Sequence, residues 1–279
     1  MAPSGPFDRT LLMRGVGWLA ERYRVEFEPG LFSRSGYLAG TDGRRRAELE
    51  RALRAPGVAA VIAARGGYGL GRIAHQVDFS ALHSAPRWLV GFSDVTVLHV
   101  EAARHGVASL HAHNAAGLGR GDAAARSRWL AALEHPTRAR RHDGLETWAS
   151  GRATGTLCGG NLAMLAACAA AGRLFLPEGG VLALEDVTES SYRLDRMLTS
   201  LMVGGHLDRV AAVVVGDFTS CPSGPFEVSA EAALRERLAE LGVPVAAGLH
   251  FGHGAWNEPL PLGLRAVLDT SAGLLSFGE

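Results

Sequence analysis

Residues 87–99 read RWLVGFSDVTVLH, from Arg87 to His99. An apolar run, Trp88–Phe92, drives straight into Gly91-Phe92-Ser93-Asp94, and a helical pattern over Val95–His105 begins at once. A strand buried on both faces shows no apolar/polar alternation, and a helix directly behind it carries the chain back across the sheet. Upstream, the continuous run Val58–Ala64 (VAAVIAA) leads into a glycine-rich turn, ARGGYGLGR, from Ala64 to Arg72. Downstream, Val107–His111 reads as a further strand. Helical patterns at Leu11–Arg22 and Gly43–Leu53 fill the gaps, and Arg24–Phe27 reads as a short strand. Strands alternating with helices predict a parallel α/β sheet covered on both faces.

The pattern weakens between Arg120 and Ser150. Ala123–Glu134 looks helical, and HPTRARRHDG (His135 to Gly144) is polar and turn-rich. This predicts an N-terminal α/β domain over residues 1–135, a linker over 136–152 and a C-terminal mixed α/β domain over 153–279. In the second half, Gly151–Leu157, Val181–Leu184, Val210–Val215 and Val243–Ala247 read as strands. Asn161–Ala171, Ser191–Met202 and Ala230–Leu241 read as helices, the second with Leu194, Met197, Leu198 and Leu201 on one face.

Composition narrows the function. The 279 residues are 47% apolar and 20% charged, ordinary globular usage. The 28 Lys+Arg and 28 Asp+Glu cancel, which argues against a nucleic-acid protein. Every one of those cations is arginine, which excludes Schiff-base chemistry, a Ser-Lys dyad and a lysine-bearing phosphate loop. Cys158, Cys168 and Cys221 are too few and scattered for a disulfide framework, so a reducing cytoplasm is expected. The longest apolar stretch, Leu162–Ala171, is too short to span a bilayer, and no membrane association is expected.

Four segments carry candidate chemistry. Ser93, at a sharp strand-to-helix turn, lies where α/β sheets bind ligands; it reads either as a nucleophile or as a helix N-cap. Arg65-Gly66-Gly67-Tyr68-Gly69-Leu70-Gly71 reads as a phosphate cradle, an oxyanion loop or a tight turn. Glu185-Asp186 ends a buried strand, where a carboxylate can orient a histidine; an N-cap or a surface pair is the alternative. His253, in His250-Phe251-Gly252-His253-Gly254, is a candidate general base. Neither His111-x-His113 nor His250-x-x-His253 has a carboxylate or cysteine at ligand spacing, so no metal and no cofactor is expected. Nucleophile, base and carboxylate together make the parts list of acyl transfer.

The segments APSGP, GYLAGTD, ARGGYGLGR, GFSDVTVLH, GGNLAML, LALEDVTESSYRLDRMLTSL and HFGHG occur here in one order, from Ala2 to about Pro261. In that order the chain resembles the LD-carboxypeptidases, serine peptidases of murein recycling that include the microcin C self-immunity peptidases. The resemblance implies Ser93 as nucleophile, Glu185 as triad carboxylate and His253 as base. It implies the amides of Asp94 and Gly67 as oxyanion donors. It also implies a Rossmann-like N-terminal domain, a site at the domain interface, and a homodimer. Arg65, Gly66, Tyr68 and Asn161 are the expected substrate contacts. The implied substrate is a murein tetrapeptide, cut between the L-centre of the diamino acid and the terminal D-Ala. A peptidyl-nucleotide substrate and a non-catalytic anion binder are the alternatives. The family's apolar strand before the APSGP turn is missing, since Met1 directly precedes it. A start codon assigned too late is the expected reason, with a trimmed N-terminus or another segment in that slot as the alternatives, and restoring upstream sequence is expected to raise the melting temperature.

Overall fold

The structure, a computed structural model, describes residues 1–224 and 227–278. Its strands are β1 (Ala60–Ile62), β2 (Trp88–Gly91), β3 (Ser109–His111), β4 (Arg140–His142), β5 (Glu146–Ala149), β6 (Arg152–Asn161), β7 (Gly180–Val187), β8 (Val210–Thr219), β9 (Val245–Ala247), β10 (Leu260–Leu262), β11 (Arg265–Asp269) and β12 (Leu274–Phe277). Two sheets result. The smaller runs β1-β2-β3-β10, with β1, β2 and β3 parallel and β10 antiparallel to β3. The larger runs β4-β12-β11-β6-β7-β8-β9-β5. Its centre, β6 to β9, is parallel, and the flanking strands are antiparallel. The fold is mixed α/β, as expected.

The parallel centres follow from sequence. Val181, Leu182, Ala183 and Leu184 on β7 and Val213 and Val214 on β8 are fully buried, as unalternating apolar runs require. The helix Thr96–Arg104 behind β2 is buried along its first seven residues. It carries the apolar core across both sheets: Leu89 and Leu98 share one cluster with Leu165, Leu184 and Leu198. At the chain start, Met1 O accepts from Ala64 N at 2.7 Å and the Met1 ammonium donates to Ile62 O at 3.0 Å, so these residues run beside β1.

Three expectations need correction. Arg24–Phe27 is not a strand; its alternation is met by Val25 packing on the cluster around Trp129, with Arg24 and Glu26 paired in solvent. Residues 136–152 are not a bare linker, because they hold β4 and β5. Both are edge strands of the larger sheet, and polar sequence is what a solvated edge carries. Nor is the smaller sheet built from residues 1–135 alone, since β10 closes its edge from late in the chain.

Candidate active site

β2 ends at Gly91, Phe92 is extended, and Ser93 turns left-handed with φ +68° before the helix starts at Thr96. A non-glycine residue there costs roughly 1–3 kcal/mol and persists only when its surroundings enforce it. They do so here. Gly91 O accepts from Ala112 N at 3.1 Å and from His99 Nε2 at 2.9 Å, and Phe92 N donates to Asn114 Oδ1 at 3.3 Å. The N-cap reading of Ser93 fails, because Phe92 holds that position and no side chain caps the turn.

The glycine loop lies against this turn. A Cβ on Gly66 would fall 2.8 Å from Ser93 Cβ and 2.9 Å from Phe92 O, so only glycine fits. The loop is clamped from behind: Leu70 N donates to Asp94 Oδ2 at 2.9 Å, and the buried Arg45 donates to Gly69 O at 2.9 Å and to Pro3 O. Burial raises the Asp94 pKa; the hydrogen bond from Leu70 and the charge of Arg45 oppose it. Among the described residues, no hydrogen bond claims the amides of Gly67 or Asp94. Two free N–H groups beside a serine can serve an oxyanion.

Glu185 and Asp186 end β7, opposite the end of β6 and wholly buried, so neither is a surface pair. Glu185 Oε2 accepts from His253 Nδ1 at 2.7 Å. That bond fixes the proton on Nδ1 and leaves Nε2 free to take one. Burial pushes the Glu185 carboxyl up, but the adjoining His111 and His253 rings outweigh it and leave the pKa at about 2. Gly252 lets the backbone approach: at φ +109° its Cβ would sit 2.4 Å from Glu185 Oε2. Asp186 has a structural task, accepting from Asn161 Nδ2 at 2.9 Å and Ala163 N at 2.8 Å, while burial lifts its pKa to about 6.

The His253 ring lies 4.8 Å from the ring of Phe92, the residue before Ser93. Among the described residues no hydrogen bond joins Ser93 Oγ to His253; resting sites are often this loose. Arg65 is exposed, with one guanidinium nitrogen on Pro6 O at 2.5 Å, and Tyr68 is half exposed against Tyr37. Asn161 is buried, and its carboxamide is committed to Asp186 and to the Met164 amide as a helix cap. A cleft of about 490 Å³ beside His253 is lined by Asp217, Thr219, His250, Gly254 and Trp256. Arg128 covers one face of Trp256 at 3.6 Å. Sequence reasoning misses Asn257, whose Oδ1 accepts from Gly252 N at 2.9 Å, and considers His111 only within a metal spacing that it sets aside. Nothing local in the sequence ties either to Glu185.

Comparisons with known proteins bear on this arrangement. The models of the LD-carboxypeptidase N-terminal and C-terminal domains match residues 1–112 and 154–268. The murein tetrapeptide carboxypeptidase of Pseudomonas aeruginosa is 37% identical over 252 residues, spanning 85% of this chain and 81% of that protein. The solved muramoyltetrapeptide carboxypeptidase of Oxalobacter formigenes is 32% identical with a TM-score of 0.89, covering 100% of this chain and 98% of the other. The microcin C7 self-immunity protein MccF is 19% identical with a TM-score of 0.86, covering 100% and 94%; it shares the fold.

Proposed function

We infer the function from one premise: the chain belongs to the LD-carboxypeptidase family. It is a carboxypeptidase of that serine peptidase family, and we propose Ser93, His253 and Glu185 as its triad. The substrate is a murein tetrapeptide, hydrolysed between the L-centre of its diamino acid and the terminal D-Ala. His253 Nε2 takes the proton of Ser93 as Oγ attacks the scissile carbonyl carbon. The tetrahedral oxyanion rests on the amides of Gly67 and Asp94. His253 then passes its proton to the amine of D-Ala, which leaves. Water, deprotonated by the same nitrogen, releases the tripeptide from Ser93. Glu185 holds the imidazole tautomer and balances the imidazolium throughout.

The observation that carries this is the 2.7 Å bond from His253 to a fully buried Glu185, beside a left-handed serine. Losing one oxyanion donor typically costs about 3–4 kcal/mol of transition-state stabilisation. Arg65 is the partner proposed for the terminal carboxylate, since a guanidinium grips a carboxylate through a fork. Gly66 and Tyr68 flank it. The proposal includes a homodimer in the cytoplasm, as the family resemblance implies; sedimentation of the purified protein tests the first.

The test is competition between substrates. Purified chain is offered the murein tetrapeptide and an aminoacyl sulfamoyl nucleotide, and products are read by mass spectrometry. Release of D-Ala at a much higher kcat/KM than cleavage of the nucleotide conjugate is expected. The reverse preference moves the assignment to a nucleotide peptidase. Binding of either without cleavage, and without labelling by a serine-hydrolase probe, makes the chain a binding module.

A further inference from the structure

Glu185 offers His253 only one of its two oxygens. The other, Oε1, is buried and has no hydrogen bond among the described residues. Its polar neighbour is His111 Nε2, at 3.9 Å. His111 is itself without solvent exposure, and neither ring nitrogen has a partner among the described residues. Its surroundings are mostly apolar: Phe251 stacks edge-on at 5.2 Å and Phe92 at 5.9 Å. A buried carboxylate and a buried imidazole, each with an unmet hydrogen-bonding atom and facing each other, are both costly apart. Shortening the gap by about 1 Å satisfies both.

The framework aims the ring. His111 ends β3, between β2 and β10, in register with Gly91 on one side and Leu260 on the other. Behind it, His99 donates from Nε2 to Gly91 O and accepts from Ser109 Oγ at Nδ1, at 2.9 Å each, so it has no proton to offer His111. The remaining titratable groups nearby are His113 on the same segment, Asp186 beside Glu185, and His253 across from it. Among the described residues, His253 engages Oε2, and His111 is the ring that faces Oε1.

We propose that His111 is a positioning residue: its Nε2–H donates to Glu185 Oε1, so that the carboxylate stays ionised and presents Oε2 to His253. The inference rests on the triad reading above and deepens it. The carboxylate is then gripped from both ends, and the base is oriented through two histidines rather than one.

The resting wild-type chain gives a readout that needs no substrate. In ¹⁵N-histidine NMR, the His111 ring is expected to carry its proton on Nε2; a bare Nε2 overturns the proposal. His111→Phe fills the same space without a donor. It is expected to lower kcat about 10- to 100-fold with KM little changed. The acid limb of its pH profile is expected to move up by about one unit, because the carboxylate loses a donor to its charged form. His111→Gln keeps an N–H at that end and is expected to restore the limb and most of kcat. A folded His111→Phe chain with wild-type kcat and acid limb overturns the proposal and leaves the triad intact. A wild-type chain that neither turns over nor takes a serine probe defeats the triad reading, while the tautomer still decides the contact. If His111→Phe does not fold, a His111→Gln acid limb displaced from wild type counts against the proposal.

Discussion

Ser93 and Gly66 make a matched pair, one strained and one bare. The strain at Ser93 φ +68° and the 2.8 Å that a Gly66 Cβ would leave give separate expectations. Ser93→Gly removes the proposed nucleophile and the Cβ penalty together. It should be inactive yet melt no lower than wild type, despite the extra freedom of an unfolded glycine; a drop of several degrees contradicts a strained turn. Gly66→Ala should fold but lose about 10²–10³ in kcat, as the loop carrying the Gly67 amide is pushed off the serine. Glu185→Gln should cost kcat by orders of magnitude with KM almost unmoved, because an amide no longer specifies the His253 tautomer. Ser93, Glu185 and His253 stand out in the sequence because each lies in a short motif, the first two at strand ends and His253 between glycines. His111 does not, because its partner Glu185 lies far along the chain, and Asn257 does not, because only the folded loop turns its side chain back onto the Gly252 amide.

At the level of elements, the site depends on a clamp between the glycine loop and the helix that follows Ser93. Asp94 holds Leu70 N, and Arg45 reaches from the helix Asp42–Arg54 to Gly69 O and Pro3 O. Arg45→Met should therefore lower stability by about 3 kcal/mol, since charged hydrogen bonds to buried carbonyls are lost together. It should also lower kcat, because the loop slackens; urea melts and turnover on one preparation check both. Full activity in a destabilised Arg45→Met chain would separate the clamp from the site. The buried elements were legible from sequence: VAAVIAA, RWLVG and VLALED contain the observed β1, β2 and most of β7. The solvated ones were not. β4 and β5 lie at the two edges of the larger sheet, where polar side chains face water, so their sequence looks like a linker. Arg24–Phe27 fails in the opposite direction, alternating without any strand to pair with.

Across the whole molecule, two features set its behaviour. The first is β10, which reaches back from residues 260–262 to close the smaller sheet beside β3. A fragment of residues 1–135 leaves that edge open and is expected not to fold cooperatively; a sharp thermal transition in the fragment would contradict this. The second is the buried histidines. Burial holds His99 at about 3 and His113 at about 4, against an ordinary value of 6.5. Their folded pKa values are depressed, so the unfolded chain binds more protons below 6.5. The stability they contribute is full above that pH and is lost as pH falls towards 4 and 3. Asp186, raised by burial from 3.8 to about 6, acts the other way within its own window. Two protons oppose one, so the melting temperature should fall between pH 6.5 and 4; a flat or rising profile contradicts the burial of both rings. The central claim remains the chemistry at Ser93, and one measurement reaches it most directly: mass spectrometry of a murein tetrapeptide incubated with the wild-type chain and with Ser93→Ala. The account expects tripeptide and free D-Ala from the first and intact tetrapeptide from the second. No release by a folded wild-type chain, or equal release by both, contradicts it.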